Sequence, residues 1–136
     1  MDLAKALIVS ASGMQAQGMR LRIVSENLAN AQSTAQTPGG DPYRRKLVTF
    51  SSELDRAAGV ETVRADRIAR DPSAFERRHD PGHPAADQDG YVLLPNVRPM
   101  IELMDMREAQ RGYEANMNAL TSARSMLLRT IDMLRG

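Results

Sequence analysis

The stretch IELMDMREAQRGYEANMNALTSARSMLLRTIDMLRG, residues 101–136, carries apolar side chains at alternating steps of three and four. That spacing selects Leu103, Met106, Gln110, Tyr113, Met117, Leu120, Arg124, Leu127, Ile131 and Leu134, and eight of these ten are apolar. On a helix such positions form one stripe, and a stripe sustained this long predicts a coiled-coil seam. Residues 3–28 repeat the spacing with Leu3, Leu7, Ser10, Met14, Gln17, Leu21, Val24 and Leu28, six of eight apolar. The chain thus supplies its own partner helix. All seven prolines, from Pro38 to Pro99, fall between the two repeats.

The expected fold is mainly α with a small β-rich insertion. Long N- and C-terminal helices pack as an antiparallel coiled coil, because both leave the same central, loop-rich β module. Three segments follow: a first helix over 1–30, a loop and β module over 31–95, and a last helix over 96–136. Asp2 is placed to cap the first helix and Asn96 the last, with Pro99 in a first turn that needs no amide hydrogen. Residues 31–42 have no hydrophobic period and are dense in turn formers, so they read as a loop. Residues 43–50, 59–68 and 90–94 read as strands.

Two local features qualify the helices. Ser10-Ala11-Ser12-Gly13 with Ala16 and Gly18 forms a small-residue patch, where each glycine costs about 1 kcal/mol relative to alanine. Either another backbone approaches closely there, or the helix is locally weak. Ser10, Gln17, Gln110 and Arg124 interrupt the seam, and a buried, unpaired Arg124 is costly. Coverage of these breaks by neighbouring subunits is the better explanation, which makes the terminal helices a shared core.

Composition narrows the function classes. A chain of 136 residues with two long terminal helices leaves little for an enzyme core. Eighteen basic and seventeen acidic residues are interspersed, without the basic tract that nucleic acid demands. Aromatics are 4% and tryptophan is absent, so Met, Leu and Ala fill the interior. The N-terminus lacks a basic segment followed by a long apolar run, so neither a cleaved signal nor a membrane span is expected.

No catalytic residue, metal ligand or cofactor is expected. His79 and His83 are separated by Pro81 and Gly82, which breaks the helical face a zincin-type pair requires, and cysteine is absent. Asp87-Gln88-Asp89-Gly90 lacks the glutamate that completes a calcium loop. There is no nucleophile elbow and no phosphate-cradling glycine loop.

Ser25-Glu26-Asn27-Leu28-Ala29-Asn30-Ala31, Thr34, and Thr37-Pro38-Gly39-Gly40-Asp41-Pro42-Tyr43-Arg44-Arg45 together resemble the signature of the flagellar rod and hook family. The long interval before Pro42-Tyr43-Arg44-Arg45 is similar to the C-type branch of the proximal rod. Residues 80–84, 90–92 and 94–97 resemble that branch's central region, and Tyr113-Glu114-Ala115-Asn116 with Ala123-Arg124-Ser125-Met126 its last helix.

The resemblance implies a structural, non-enzymatic subunit of the bacterial flagellar basal body, on the proximal rod that crosses the periplasm and transmits torque. It implies export through the flagellar type III apparatus, and helical assembly with other rod proteins and copies of itself. The signature residues to watch are then Ser25, Asn27, Leu28, Ala29, Asn30, Thr34, Thr37, Gly39, Tyr43 and Arg44. The packing and assembly residues are Leu3, Leu7, Met14, Leu21, Val24, Leu103, Met106, Tyr113, Met117, Leu120, Leu127, Ile131 and Leu134. Asn27 and Asn30 are expected to satisfy carbonyls at the helix end and to tolerate a left-handed turn, and Tyr43 and Arg44 to pin the returning strand. Two alternatives stay open: another axial protein of the rod group, or a soluble coiled-coil adaptor.

Overall fold

The computed structural model describes residues 2–136. Helix α1 covers Leu3–Ala29, strands β1 to β4 cover Lys46–Asp55, Val60–Arg70, Glu76–His79 and Tyr91–Leu94, and helix α2 covers Pro99–Arg135. No described helix is long and apolar enough to cross a membrane. The chain divides into two compact units, one comprising 2–21, 48–67 and 107–136, the other 22–47 and 68–106.

In the first unit, Asp2 caps α1 by accepting the Ala4 N–H at 3.0 Å, as its sequence position predicts. The two helix segments pair in opposite directions: Gly13 meets Asn116, Gln17 meets Gly112, and Arg20 lies 3.4 Å from Glu108. The contact is close. A Cβ on Gly13 would stand 2.6 Å from the Asn116 amide oxygen, and one on Gly112 would stand 3.1 Å from Gln17. Of the two readings of the small-residue patch, close approach holds at Gly13, where the neighbour is the Asn116 side chain, and not at Gly18, where a Cβ would meet nothing within 4 Å.

That closeness moves the buried line away from the predicted seam. Ser10, Gly13, Ala16, Ala109 and Ala123 are buried, whereas Gln110, Met117 and Arg124 are exposed. Tyr113, Leu120 and Leu127 remain half-buried. The seven-residue period holds, but one of its two rows on α2 sits a residue earlier, at Ala109, Asn116 and Ala123. Helices that approach through small side chains leave no room for Leu or Met on the contact line, so the large residues flank it. Arg124 points outward, and no guanidinium is buried there. At the same step per residue, Leu3 comes level with Met126, and the last turns of α2 run past the start of α1. Ile131, Met133 and Leu134 are accordingly 41%, 76% and 83% exposed.

The β1 and β2 segments of this unit pair antiparallel, as the Thr49 hydroxyl donating to the Arg67 carbonyl and the Thr62 hydroxyl donating to the Glu53 carbonyl require. Asp55 Oδ1 accepts from Ala57 and Ala58, and Gly59 closes the turn at φ +65°.

In the second unit β3 and β4 pair antiparallel, with Glu76 opposite Leu94 and His79 opposite Tyr91. Val92 is wholly buried, with Ala85 and Val97. Strand β3 was not expected. Its residues Glu-Arg-Arg-His are all exposed, so no apolar alternation marks it, and backbone pairing with β4 carries it. Arg77 lies 4.5 Å over the Tyr91 ring and His79 meets that ring edge-on at 5.0 Å. Asn96 does not cap α2. The helix begins at Pro99, with Glu102 N–H bonding to the Arg98 carbonyl, while the Asn96 side chain serves the β segments.

Candidate functional site

The signature loop folds around Asn27, which is 1% exposed on the last turns of α1. Its side-chain Nδ2 donates to the Lys46 carbonyl and its Oδ1 accepts the Lys46 N–H, both at 2.9 Å. The amide thereby replaces a neighbouring strand for one residue of β1. Oδ1 also accepts from the Tyr43 hydroxyl at 2.8 Å, and Nδ2 reaches Glu102 Oε2 at 3.2 Å. Asn27 thus engages a strand rather than the helix-end carbonyls expected of it. Asn30 does fill that role, donating to the Glu26 carbonyl at 2.9 Å. No described non-glycine residue adopts a positive φ, so neither asparagine makes a left-handed turn; Gly39 does, at +73°.

Glu102 is the other centre. Its side chain is fully buried, and Arg45 Nε donates to its Oε1. The Arg45 guanidinium also reaches Asp71 at 3.4 Å and Asp105 at 3.5 Å. Arg45 is held above its ordinary value: burial opposes the charge most strongly, and hydrogen bonds and charge from Glu102 and Asp71 outweigh it. Asp71 is held below the usual carboxylate range by the Ser73 N–H and hydroxyl, then by Arg45, against burial. Burial first, then the carboxylates of Glu26 and Glu102, pushes the Tyr43 hydroxyl upward and keeps it a donor.

Backbone links complete the cluster. Asn96 Oδ1 accepts the Arg45 N–H at 2.8 Å, and its Nδ2 donates to the carbonyls of Asp71 and Ser73. Arg44 donates to the same two carbonyls at 2.8 and 3.0 Å and lies 4.1 Å over the Phe75 ring. Lys46 pairs with Glu26 at 2.5 Å. Helix, returning strand and β2–β3 connection are tied by a single network in which each buried polar atom has a partner. It holds no nucleophile beside a base, and among the described residues no three His, Cys, Asp or Glu side chains converge on a metal position.

The signature residues do not all enter this network. Ser25 and Ala29 are exposed, Leu28 and Thr34 half-buried, and Thr37 is exposed with its carbonyl accepting the Gly40 N–H. The Thr34 hydroxyl lies 3.3 Å from His83 Nε2, and His83 Nδ1 accepts from Ala85. Tyr43 reaches α1, whereas Arg44 reaches the β2–β3 connection. Among the packing residues Val24 is buried; Leu3, Leu7, Met14, Leu21, Met106, Tyr113, Leu120 and Leu127 are half-buried; Leu103, Met117, Ile131 and Leu134 are exposed. Sequence reasoning gave no role to Asp71 or Glu102, quoted Arg45 in the signature without a contact, and gave Asn96 a helix cap in place of the links it makes. One signal was present: Glu102 stands in seven-residue phase with Ala109, Asn116 and Ala123.

Residues 88–133 match the family model of the flagellar basal body rod FlgEFG protein C-terminal region. The flagellar basal-body rod protein FlgC of Agrobacterium fabrum is 51% identical over 98% of this chain and 96% of its own length. Those of Borreliella burgdorferi and Salmonella typhimurium are each 36% identical, over 100% and 98% of both chains respectively. The chain belongs to the FlgC family of flagellar basal-body rod proteins. It is therefore a structural subunit of the flagellar basal-body rod and not an enzyme, and the Asn27–Glu102 network organises a scaffold.

Proposed function

We propose that this rod subunit assembles through its terminal helices. It self-assembles with other rod proteins and with its own copies into a helical proximal rod, the periplasm-spanning shaft that carries torque. Heterologous contacts of this kind build an open helix, so each subunit presents two different complementary faces. Export through the flagellar type III apparatus without a cleaved signal belongs to the same reading. It delivers an unfolded chain that folds where it assembles.

One observation carries the proposal. On α2 the inward line consists of small and polar side chains, while Met117, Met126, Leu128, Ile131, Met133 and Leu134 are between 41% and 83% exposed. Met117, Leu128 and Ile131 share one side of α2 and Met126 and Met133 the other, and an exposed apolar surface of that extent marks a contact region. Neighbouring helices that cover it restore the predicted seam, now between subunits, as a coiled coil to which Met117, Ile131 and Leu134 contribute.

The test uses a strain lacking its own copy of the gene. The wild-type chain should restore basal-body rods and motility. An Ile131→Asp, Leu134→Asp variant should fold as the wild type by circular dichroism, remain monomeric, and restore neither. Normal rods with that variant would exclude assembly through this face.

A further inference from the structure

Below the signature loop lies a cavity of about 230 Å³, room for several waters at roughly 30 Å³ each. Arg44, Lys46, Arg70, Asp41, Pro42 and Phe75 are among its walls. Three cations face one carboxylate. Lys46 is already matched by Glu26. Arg44 is not matched, because the two carbonyls it binds carry no net charge, and both are served through one terminal nitrogen. Its Nε and second terminal nitrogen have no partner among the described residues, nor does the side chain of Arg70. Asp41 lies in the same wall yet forms an ion pair with neither.

Arg44 is also pre-positioned. The carbonyls of Asp71 and Ser73 fix one end of its guanidinium, and the Phe75 ring excludes water from one face. A guanidinium held this way offers a planar fork to a two-oxygen anion without further loss of side-chain freedom. Phe75 and Pro42 supply an apolar wall beside it, suited to the methylene stem of a carboxylic acid.

We propose that this cavity is a carboxylate-binding pocket that takes a glutamate side chain from an adjoining rod subunit. Arg44 and Arg70 engage the two oxygens, and Phe75 packs on the stem. The identity of the partner as a rod protein rests on the assembly reading above; the carboxylate specificity rests on the pocket alone. A second charged contact of this sort fixes register, which an apolar helix face leaves loosely specified.

Two measurements test it. Side-chain NMR of the full chain, at constant ionic strength, follows the Arg44 and Arg70 Nε–H signals during titration with glutarate, and separately with inorganic phosphate. Glutarate should give saturable shifts of both, weakened about tenfold in Arg70→Gln, the equivalent of one charge-assisted hydrogen bond. No saturable response to glutarate, or a response to phosphate alone, overturns the pocket whatever the protein does in cells. In the deletion strain, Arg70→Glu should fold normally and fail to build rods, and motile revertants should carry an acidic-to-basic change in a rod protein. If wild type and Arg70→Glu restore rods equally, the pocket is not an assembly contact and the rod reading stands. If the wild type itself restores none, the assembly reading fails, and the glutarate titration still decides the pocket.

Discussion

Asn27 holds both backbone groups of Lys46, donating to its carbonyl and accepting from its N–H at 2.9 Å. One helix side chain therefore sets where β1 begins, because an amide donates and accepts from two separate atoms and can bracket both backbone groups of one residue. Aspartate has the same shape and cannot donate when ionised. Asn27→Asp places a carboxylate against the Lys46 carbonyl and the buried Glu102 carboxylate. We expect a loss of about 3 kcal/mol, greater than for Asn27→Ala, in urea unfolding at neutral pH. An Asn27→Asp chain at least as stable as Asn27→Ala would refute the pairing.

The Arg45–Glu102 pair makes an asymmetric prediction. Glu102 is fully buried, and among the described residues Arg45 is its only cationic partner, while Arg45 also faces Asp71 and Asp105. Arg45→Met strands a buried carboxylate and should cost about 3–5 kcal/mol, whereas Glu102→Met leaves a guanidinium with two other carboxylates and should cost less. The double variant should recover much of the loss. A double-mutant cycle with no coupling energy would show that the two side chains do not act as a pair.

Asp71 sets an acid limit. Its carboxyl is held below the ordinary range by the Ser73 N–H and hydroxyl and by Arg45, so the folded chain favours the ionised form more than the unfolded chain does. Stability from this group is complete above the unfolded value of about 3.9 and is lost as pH falls through the lower folded value. Unfolding at about pH 7, 4.5 and 3 should show Asp71→Asn less stable than the wild type at the two higher values, with the gap closing at the lowest. A gap that persists unchanged at pH 3 points to packing instead.

Much of the architecture was legible from spacing. The two long helices, the Asp2 cap, three of the four strands and the loop after α1 follow from period, turn chemistry and proline placement. What stayed hidden has physical causes. Strand β3 is exposed on every residue, so hydrophobic alternation cannot reveal it. The phase of the helix contact depends on which side chain fills the notch at each glycine, and Gly13 and Gly112 settle that only when they meet Asn116 and Gln17. The network around Asn27 joins residues up to 75 positions apart, a pairing no local pattern encodes. Asn27 and Tyr43 were singled out because the signature contains them. Asn96 was read as a helix cap, and Arg45 and Glu102 were given no contact, because isolated polar residues near helix starts and strand starts read as caps and solvated edges.

The close helix contact yields a prediction whose sign reverses with context. In an isolated helix Gly→Ala gains about 1 kcal/mol. At position 13 the new Cβ would stand 2.6 to 2.8 Å from the Asn116 amide, closer than such atoms come, and that amide is tied to the Gly112 carbonyl at 2.9 Å. Gly13→Ala must break that bond or push the helices apart, which overpacks the contact and should destabilise by about 1–3 kcal/mol. Removing the obstacle should reverse the effect. With Asn116→Ala in place, the added methyl fills the space the amide vacated, and Gly13→Ala should now stabilise by about the helix-propensity gain. Thermal unfolding of the two singles and the double measures both signs. If Gly13→Ala stabilises even with Asn116 present, the helices do not approach as closely as Gly13 and Asn116 indicate.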